Sequence, residues 1–498
     1  MQPFKRHLLW IALLAQALLL GFHLDLLPIW GDERYTLETA AQSPPRIIAA
    51  LQVDVHPPVY YFLVKGWLKL PLPGEPLERA RALSAAVALL ATLALDLLWL
   101  RPLAWETRAL FLGLWVFSPF LILYARMARS YTLQLLLTLI AIRMARDWLR
   151  DPADRWKMAR YVLAAAALLY THYLPGLAVV AGAAVLGLWR RQWRQLEALA
   201  LIALAYAPWL STLVHTSAVV AEARPHWESS NFLIENGMKL AYAFVAFNFG
   251  ESIPAWGMMA GAALLPLIGW ALWKAWERTA HPPVLFLLVA MVGYLGAASW
   301  VTFAFVGARL LFLLPFYFLF LLRGLDLRRW HGALTYAGIL LVAAGSLSSY
   351  YRKQDFLNKG YLVDFEQIAR ELRQASAGEP NLILLDRQIS NAGYALHAER
   401  LARPVLILGD GDSFDRALAM LHHHRPALVW YLGYGRDLTP GGLNRHFEAE
   451  VSRDYSIERH GFVPFSWADR KAMQWLGQPD RPAYLIEALE LHRQGGPR

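Results

Sequence analysis

The 498-residue sequence contains no cysteine, which excludes disulfides, thiolate zinc sites, iron–sulfur clusters and cysteine nucleophiles. It is also poor in charge, since 17% of its residues are Asp, Glu, Lys or Arg against about a quarter in soluble domains. Because 57% of its residues are hydrophobic, a disordered or fibrous protein is excluded and an ordinary cytosolic enzyme is disfavoured.

The basic residues are distributed as in a membrane protein. The formal net charge of +10 arises wholly from residues 1–351, because residues 352–498 hold 19 basic and 19 acidic side chains. In a soluble protein such an excess would suggest nucleic-acid binding. Here it lies between apolar stretches, as in cytoplasmic membrane loops. We therefore expect a lipid bilayer and no nucleic acid as partner.

Residues 1–351 contain eleven apolar stretches near the roughly 20 residues that a helix needs to cross a bilayer. The sequence therefore predicts a polytopic α-helical membrane domain. The first stretch is interpreted as a retained anchor, since no small-x-small cleavage site follows it. The predicted spans are 7–27, 83–100, 107–124, 131–148, 158–173, 175–189, 196–214, 256–276, 283–304, 309–326 and 332–350.

The positive-inside rule gives the orientation of these spans. Lys and Arg cluster at the amino terminus and after every even-numbered span, which predicts a cytoplasmic amino terminus in the inner (plasma) membrane. Residues 28–82 and 215–255 are then outer, periplasmic loops. Residues 57–70 are too short to cross, carry Lys65, and would reverse every later cluster if they did cross. They are predicted to form an interfacial helix on the outer surface.

The composition changes after residue 351. Residues 381–386, 404–409 and 427–433 are typical of buried strands, and residues 364–376 and 413–424 of helices between them. Strands that alternate with helices favour a parallel sheet. We therefore predict a soluble extracytoplasmic α/β domain over residues 352–498.

An acidic pair, Asp32-Glu33, follows the first span in the first outer loop. A carboxylate at the bilayer surface could act as a general base. The alternative is a solvated turn that caps the next helix.

Three arginines at the outer side break the positive-inside trend. Arg126 and Arg129 lie in the second outer loop, and Arg309 opens the tenth span among apolar residues. A guanidinium can hold a phosphate through two parallel hydrogen bonds, and a cation at membrane depth usually has an anionic partner. The alternatives are pairing with lipid headgroups and snorkelling to the interface.

Two histidines also lie on the outer side, His56 in the first outer loop and His172 at the end of the fifth span. A further set lies in the outer segment 215–238 without the spacing of a metal site, so structural roles are favoured. No cofactor is therefore required. A divalent metal stays open, with unknown ligands. The further set is His215, Glu222, His226 and Glu228.

Four motifs, in one order and on one side, resemble the GT-C membrane glycosyltransferases over residues 5–350. The branch contains the protein O-mannosyltransferases and the bacterial aminoarabinose and galacturonic acid lipid-modifying transferases. The motif Thr171-His172-Tyr173 is also similar. The four motifs are Asp32-Glu33, His56-Pro57-Pro58-Val59-Tyr60-Tyr61, Ala128-Arg129-Ser130-Tyr131, and Arg309 six residues before Pro315.

The resemblance implies transfer of a sugar from a polyprenyl-phosphate donor to a hydroxyl on a lipid, glycan or protein. Asp32 would be the base, assisted by Glu33. One base and one attack predict inversion at the anomeric carbon. The donor phosphate would be bound by Arg126, Arg129, Arg309 and His56, the last of which stands where some relatives have Lys. The substrate cavity would also contain Asp54, Tyr60, Tyr131 and His172.

Two other functions fit parts of the pattern. A lipid-linked sugar flippase would also have many spans, and Asp96 inside the second span favours one, but inverted repeats are not visible. A scaffold that acts through the outer domain would not depend on Asp32.

Overall fold

A computed structural model describes most of the chain in two compact units. The first unit is Met1–Leu26 with Asp32–Leu357, and the second is Leu27–Gly31 with Asn358–Arg498. The residues described are 2–54, 56–222, 232–279, 284–299, 307–375, 381–386, 405–409, 411–435, 443–466, 469–470 and 483–494.

The first unit is helical. A π-helical turn, Asp96–Leu100, extends α5, and a 3-10 helix, Gly307–Leu313, precedes α15. The helices are α1 (Gln2–Gly21), α2 (Gly31–Ala41), α3 (Pro44–Gln52), α4 (Val59–Leu68), α5 (Pro76–Leu95), α6 (Trp105–Val116), α7 (Pro119–Ala125), α8 (Tyr131–Arg150), α9 (Arg155–Leu169), α10 (Tyr173–Trp189), α11 (Arg194–Glu222), α12 (Phe232–Phe249), α13 (Ala255–Glu277), α14 (Val284–Ser299), α15 (Leu314–Gly324) and α16 (Trp330–Tyr351).

Each predicted span overlaps a helix in the described residues. The apolarity of these helices is that of a membrane protein. Among the residues that the structure describes, five helices are long and apolar enough to cross a membrane. The pair α6–α7, bent by 55°, would be a sixth. Ser118 and Pro119 explain the bend, because the serine hydroxyl caps α7 and the proline begins it. The count of eleven crossings stays a prediction.

The short helix α4 forms within the segment 57–70 that the sequence predicts as interfacial. Lys65, the charge that argued against a span, donates from Nζ to the carbonyl oxygens of Ala40 and Gln42 at 3.3 and 2.5 Å. These carbonyls lie at the carboxyl end of α2, where a cation is favourable. Lys65 therefore fastens α4 to α2.

The helix α12 lies inside the segment 215–255 that the sequence assigned to an outer loop. A helix within an outer loop is compatible with the prediction, since α2, α3 and α4 also lie within the first predicted outer loop. The assignment of residues 215–255 to the outer side stays a prediction.

The second unit contains a five-stranded sheet in the order β2-β1-β3-β5-β4. The first three strands are parallel and match the predicted strands, whereas β4 and β5 are antiparallel and were not predicted. The sheet is therefore mixed. The elements are α17 (Phe365–Ala375), β1 (Leu382–Asp386), β2 (Val405–Leu408), α18 (Gly411–His424), β3 (Leu428–Tyr434), α19 (Leu443–Val451), β4 (Tyr455–Pro464) and β5 (Tyr484–Arg493).

Two apolar cores cover the two faces of this sheet. On one face, Ile368 and Ala369 of α17 pack against Trp430 and Ala488. On the other face, the helices α18 and α19 pack through residues such as Phe414 and Phe447. The sheet is a single layer between helices.

Candidate functional site

Asp32 lies in the first turn of α2, and its carboxylate is accessible. The side chain is 51% exposed, with Oδ2 3.4 Å from Nη2 of Arg129. The backbone oxygen of Asp32 is held by Nη1 of Arg129 at 3.1 Å and by the Thr36 hydroxyl at 2.8 Å. The backbone is therefore fixed while the carboxylate can still meet a substrate.

Arg129 is buried at the centre of this arrangement. Its Nη1 also donates to the Thr36 hydroxyl at 3.1 Å, and its Nη2 to Nε2 of His56 at 2.7 Å. Burial lowers the pKa of Arg129, but the Asp32 carboxylate and the neighbouring hydroxyls of Tyr61, Tyr131 and Tyr60 together outweigh burial and raise that pKa. Its Nε has no acceptor among the described residues. Arg129 is thus a permanent cation with a donor left for a ligand.

The contacts of His56 fix its tautomer. Arg129 can only donate, so Nε2 of His56 accepts and carries no proton. Nδ1 then holds the proton and donates to Oδ2 of Asp54 at 2.8 Å. His56 is therefore neutral in this arrangement, and it links Asp54 to Arg129 rather than offering a charge to a phosphate.

Two tyrosines adjoin this chain of contacts. Burial, reinforced by the Asp54 carboxylate, raises the pKa of Tyr35 to about 12. Burial also raises the pKa of Tyr61, whose hydroxyl has no partner among the described residues. Both hydroxyls therefore stay protonated at neutral pH. Sequence reasoning missed Tyr35 and placed Tyr61 only within a motif.

Arg309 reaches the same region from the 3-10 helix before α15. Asp32, Arg129 and Tyr131 lie within electrostatic range of its guanidinium. Its Nη1 is buried and has no acceptor in the part of the chain that the structure describes. We name the set Asp32, Asp54, His56, Arg129 and Arg309 the Asp32 cluster.

Tyr131 and His172 lie at the border of the Asp32 cluster. Tyr131 begins α8, immediately after the loop that carries Arg129. His172 caps α10, and its Nδ1 accepts from the backbone N–H of Leu174 at 3.2 Å. In the neutral ring, Nε2 then carries the proton. His56, Arg129 and Arg309 lie within electrostatic range of that ring.

Glu33, unlike its neighbour Asp32, is buried. Its two oxygens accept from Nε and Nη2 of Arg81 at 2.9 and 2.7 Å. The backbone N–H of Ala128 donates to it at 2.7 Å. The carboxylate thus joins the start of α2 to α5 and to the Arg129 loop, which is a structural arrangement.

Arg126 has different partners from Arg129 and does not share its contacts with Asp32 and His56. Its Nη1 donates to the carbonyls of Leu19, Leu20 and Phe22, and its Nη2 to that of His23. Its Nε donates to the Tyr350 hydroxyl at 3.0 Å. Arg126 therefore caps α1 and fastens it to α16. Its donors are used within the protein.

Tyr60 also has a structural position. Its hydroxyl lies 2.8 Å from the Ser84 hydroxyl, which donates to the backbone oxygen of Arg129 at 3.3 Å. Tyr60 thus supports the Arg129 loop through Ser84, and its expected place in the substrate cavity stays a prediction.

Glu251 is a buried carboxylate that sequence reasoning missed. The Tyr124 hydroxyl donates to its Oε1 at 2.6 Å. Burial raises the pKa of Glu251 to about 7, although this hydrogen bond opposes the shift. A side chain at Gly307 would meet the same oxygen at 2.7 Å, so the glycine permits the turn toward Arg309. The sequence signal that could have identified Glu251 is an acidic residue between two apolar segments.

The described residues of the first unit contain no group of three imidazoles or carboxylates that converge as metal ligands; such a group occurs in the second unit. His226 and Glu228 lie outside the described residues. His215 is exposed on α11.

The fold was then compared with known proteins. No protein-family model and no curated protein sequence matches the chain. The crystal structure of ArnT from Cupriavidus metallidurans in the apo state aligns with a TM-score of 0.53 at 13% identity, covering 97% of each chain. The crystal structure of the same organism's ArnT bound to undecaprenyl phosphate aligns with a TM-score of 0.49 at 14% identity, covering 99% of this chain and 98% of that one. The alignment with the apo structure shows that the chain has the fold of ArnT, as the resemblance implied.

Proposed function

We propose that this protein transfers a monosaccharide from a polyprenyl-phosphate donor to a hydroxyl acceptor on the extracytoplasmic side of the inner membrane. One observation carries the proposal. The accessible carboxylate of Asp32 lies 3.4 Å from the buried guanidinium of Arg129 and within electrostatic range of that of Arg309. Nε of Arg129 and Nη1 of Arg309 have no acceptor among the described residues. Buried donors without partners are costly unless a ligand accepts from them. A lipid phosphate has the required charge and geometry.

The chemistry assigns one role to each charge. Asp32 takes the proton of the acceptor hydroxyl as that oxygen attacks the anomeric carbon. The bond from this carbon to the phosphate oxygen breaks, and its electron pair stays on the lipid phosphate. Arg129 and Arg309 stabilise the charge that develops there. A single displacement inverts the anomeric centre.

The remaining residues are assigned by their contacts. His56 and Asp54 hold Arg129 in place, so they position the cation instead of binding phosphate themselves. Glu33 positions the segment that begins with Asp32. Arg126 stabilises the fold and takes no part in phosphate binding. Tyr131 and His172 border the donor headgroup.

The flippase alternative loses its main support. Asp96 is fully buried, but Nε and Nη2 of Arg108 bond to its two oxygens at 2.5 and 2.7 Å. The charge inside the second predicted span is therefore neutralised locally, and no substrate ion is needed to explain it.

The experiment uses purified protein in detergent with radiolabelled polyprenyl-phosphate sugars and a membrane extract as acceptor pool. Wild type should release lipid phosphate as label enters the acceptor fraction, and Asp32→Asn should do neither. If no donor is consumed, or if donor crosses proteoliposome membranes without any transfer, the proposal is wrong.

A further inference from the structure

Four ionisable side chains lie on one face of the two strands that were not predicted, β4 and β5. Glu458 and Glu490 are directly opposite each other in the antiparallel register. His460 lies two residues along β4, and His492 lies opposite Ser456 on β5. Since side chains alternate between the faces of a sheet, all four point the same way. We name this set the Glu490 cluster.

The carboxylate of Glu490 is buried without hydrogen-bond partners. Its side chain is 1% exposed, and neither oxygen has a hydrogen bond among the described residues. The same holds for the buried Nε2 of His460. The neighbouring Arg459 points to the opposite face, where it bonds to Glu448. A buried anion in this state is costly unless another group neutralises it.

The distances within the Glu490 cluster match a metal site. Nε2 of His460 lies 3.4 Å from Oε2 of Glu490 and 3.9 Å from Oε1 of Glu458. One atom from each of these three residues falls within 4.8 Å of the others. Ligands of tetrahedral zinc, bound at about 2.0–2.2 Å, are separated by roughly 3.3 Å. Small side-chain rotations would therefore complete the geometry.

The donor set selects the type of cation. An imidazole nitrogen with two carboxylates suits zinc and its divalent first-row neighbours, whereas calcium and magnesium prefer oxygen ligands alone. His492 approaches the other oxygen of Glu490, with Nε2 3.1 Å from Oε1. A group in that place can orient a ligating carboxylate.

We propose that Glu458, His460 and Glu490 bind a zinc-type divalent cation, and that His492 orients the Glu490 carboxylate. The cation would neutralise Glu490 and join β4, the edge strand of the sheet, to β5. This site is independent of the transferase proposal, since it uses none of the same residues and its test measures metal binding.

The test titrates full-length, chelator-stripped protein, prepared without a polyhistidine tag, with Co²⁺ in detergent and follows visible absorption. We then measure competition by Zn²⁺. Wild type should bind one equivalent with a tetrahedral spectrum. His460→Gln and Glu490→Gln should each weaken binding by at least about 100-fold, as loss of a ligand exceeds the 10–100-fold loss caused by an outer partner.

Two controls keep the outcome decisive. His423→Gln changes an exposed histidine in the run His422-His423-His424 and should leave binding unchanged. Glu458→Gln, at an exposed position, gives a ligand test that does not depend on folding of the Glu490 variant. Binding that survives in His460→Gln and Glu458→Gln, that is lost in His423→Gln, or that never reaches one equivalent would overturn the proposal.

Discussion

The Asp32 cluster and the Glu490 cluster concentrate buried charge in opposite ways. In the first, two guanidinium groups have donors without acceptors in the described part of the chain, beside one accessible carboxylate. In the second, a buried carboxylate has imidazoles nearby and acceptors without hydrogen-bond donors in that same part. Unused donors call for an anion and unused acceptors for a cation, because a buried polar group without a partner is costly. The sign of the unsatisfied groups thus indicates the class of ligand.

The largest expected effect is on the anion site. Arg129→Gln should lower transfer about 10²–10³-fold, because it removes a donor that stabilises the departing phosphate. Initial rates at saturating donor measure this loss. Arg101→Gln, an exposed arginine on the predicted cytoplasmic side, serves as the control. A rate within threefold of wild type for the Arg129 variant would show that Arg129 does not stabilise the departing phosphate.

The next effect separates structure from chemistry in the acidic pair. Glu33→Gln breaks a buried ion pair with Arg81, which should reduce stability by about 3 kcal/mol. The apparent midpoint of thermal unfolding should fall by several degrees, while turnover per folded molecule changes less than tenfold. Glu106→Gln is the exposed control. An unchanged midpoint with lost turnover would restore Glu33 to the catalytic role.

A smaller effect tests the orientation of Arg129 by His56. His56→Leu removes the acceptor and should lower transfer about tenfold, as expected for a hydrogen bond worth about 1.5 kcal/mol to a charged group. His56→Gln offers an amide oxygen in its place and should recover most of the rate. Equal rates in the two variants, measured at saturating donor, would show that the contact does not position Arg129.

The last prediction is a pH dependence of stability, which leaves transfer itself unchanged. Burial raises the pKa of Glu251 to about 7, so the neutral carboxyl is favoured in the fold. Its contribution to stability is complete below its unfolded pKa and is lost as pH rises through about 7. Wild type should therefore lose thermal stability relative to Glu251→Gln between about pH 4.5 and 7. A constant difference would contradict this assignment.

The sequence predicted the apolar spans because spans and basic loops follow simple membrane rules, whereas it pointed to the Asp32 cluster through the exceptional outer arginines and the resemblance. It could not separate Arg126 from Arg129, three residues apart. Which arginine caps a helix depends on contacts with α1 and α16, which are distant in sequence. The same holds for Glu33, whose partner Arg81 is 48 residues away.

The second unit shows a different limit. The strands β1 and β3 are largely apolar and were predicted, whereas β4 carries polar or charged side chains at four of its ten positions. Two of them, Glu458 and His460, form part of the Glu490 cluster, so side chains that concealed the strand are also those that suggest a ligand. Only the register with β5 brings them together.

The central claim is that Asp32 acts as the base beside a phosphate site. The most direct test measures donor binding and turnover separately in Asp32→Asn. Loss of the base should lower turnover by about 10²–10⁴-fold while the dissociation constant for the donor changes by less than about threefold. Turnover close to that of wild type, at equal protein level and with donor bound, would contradict the account.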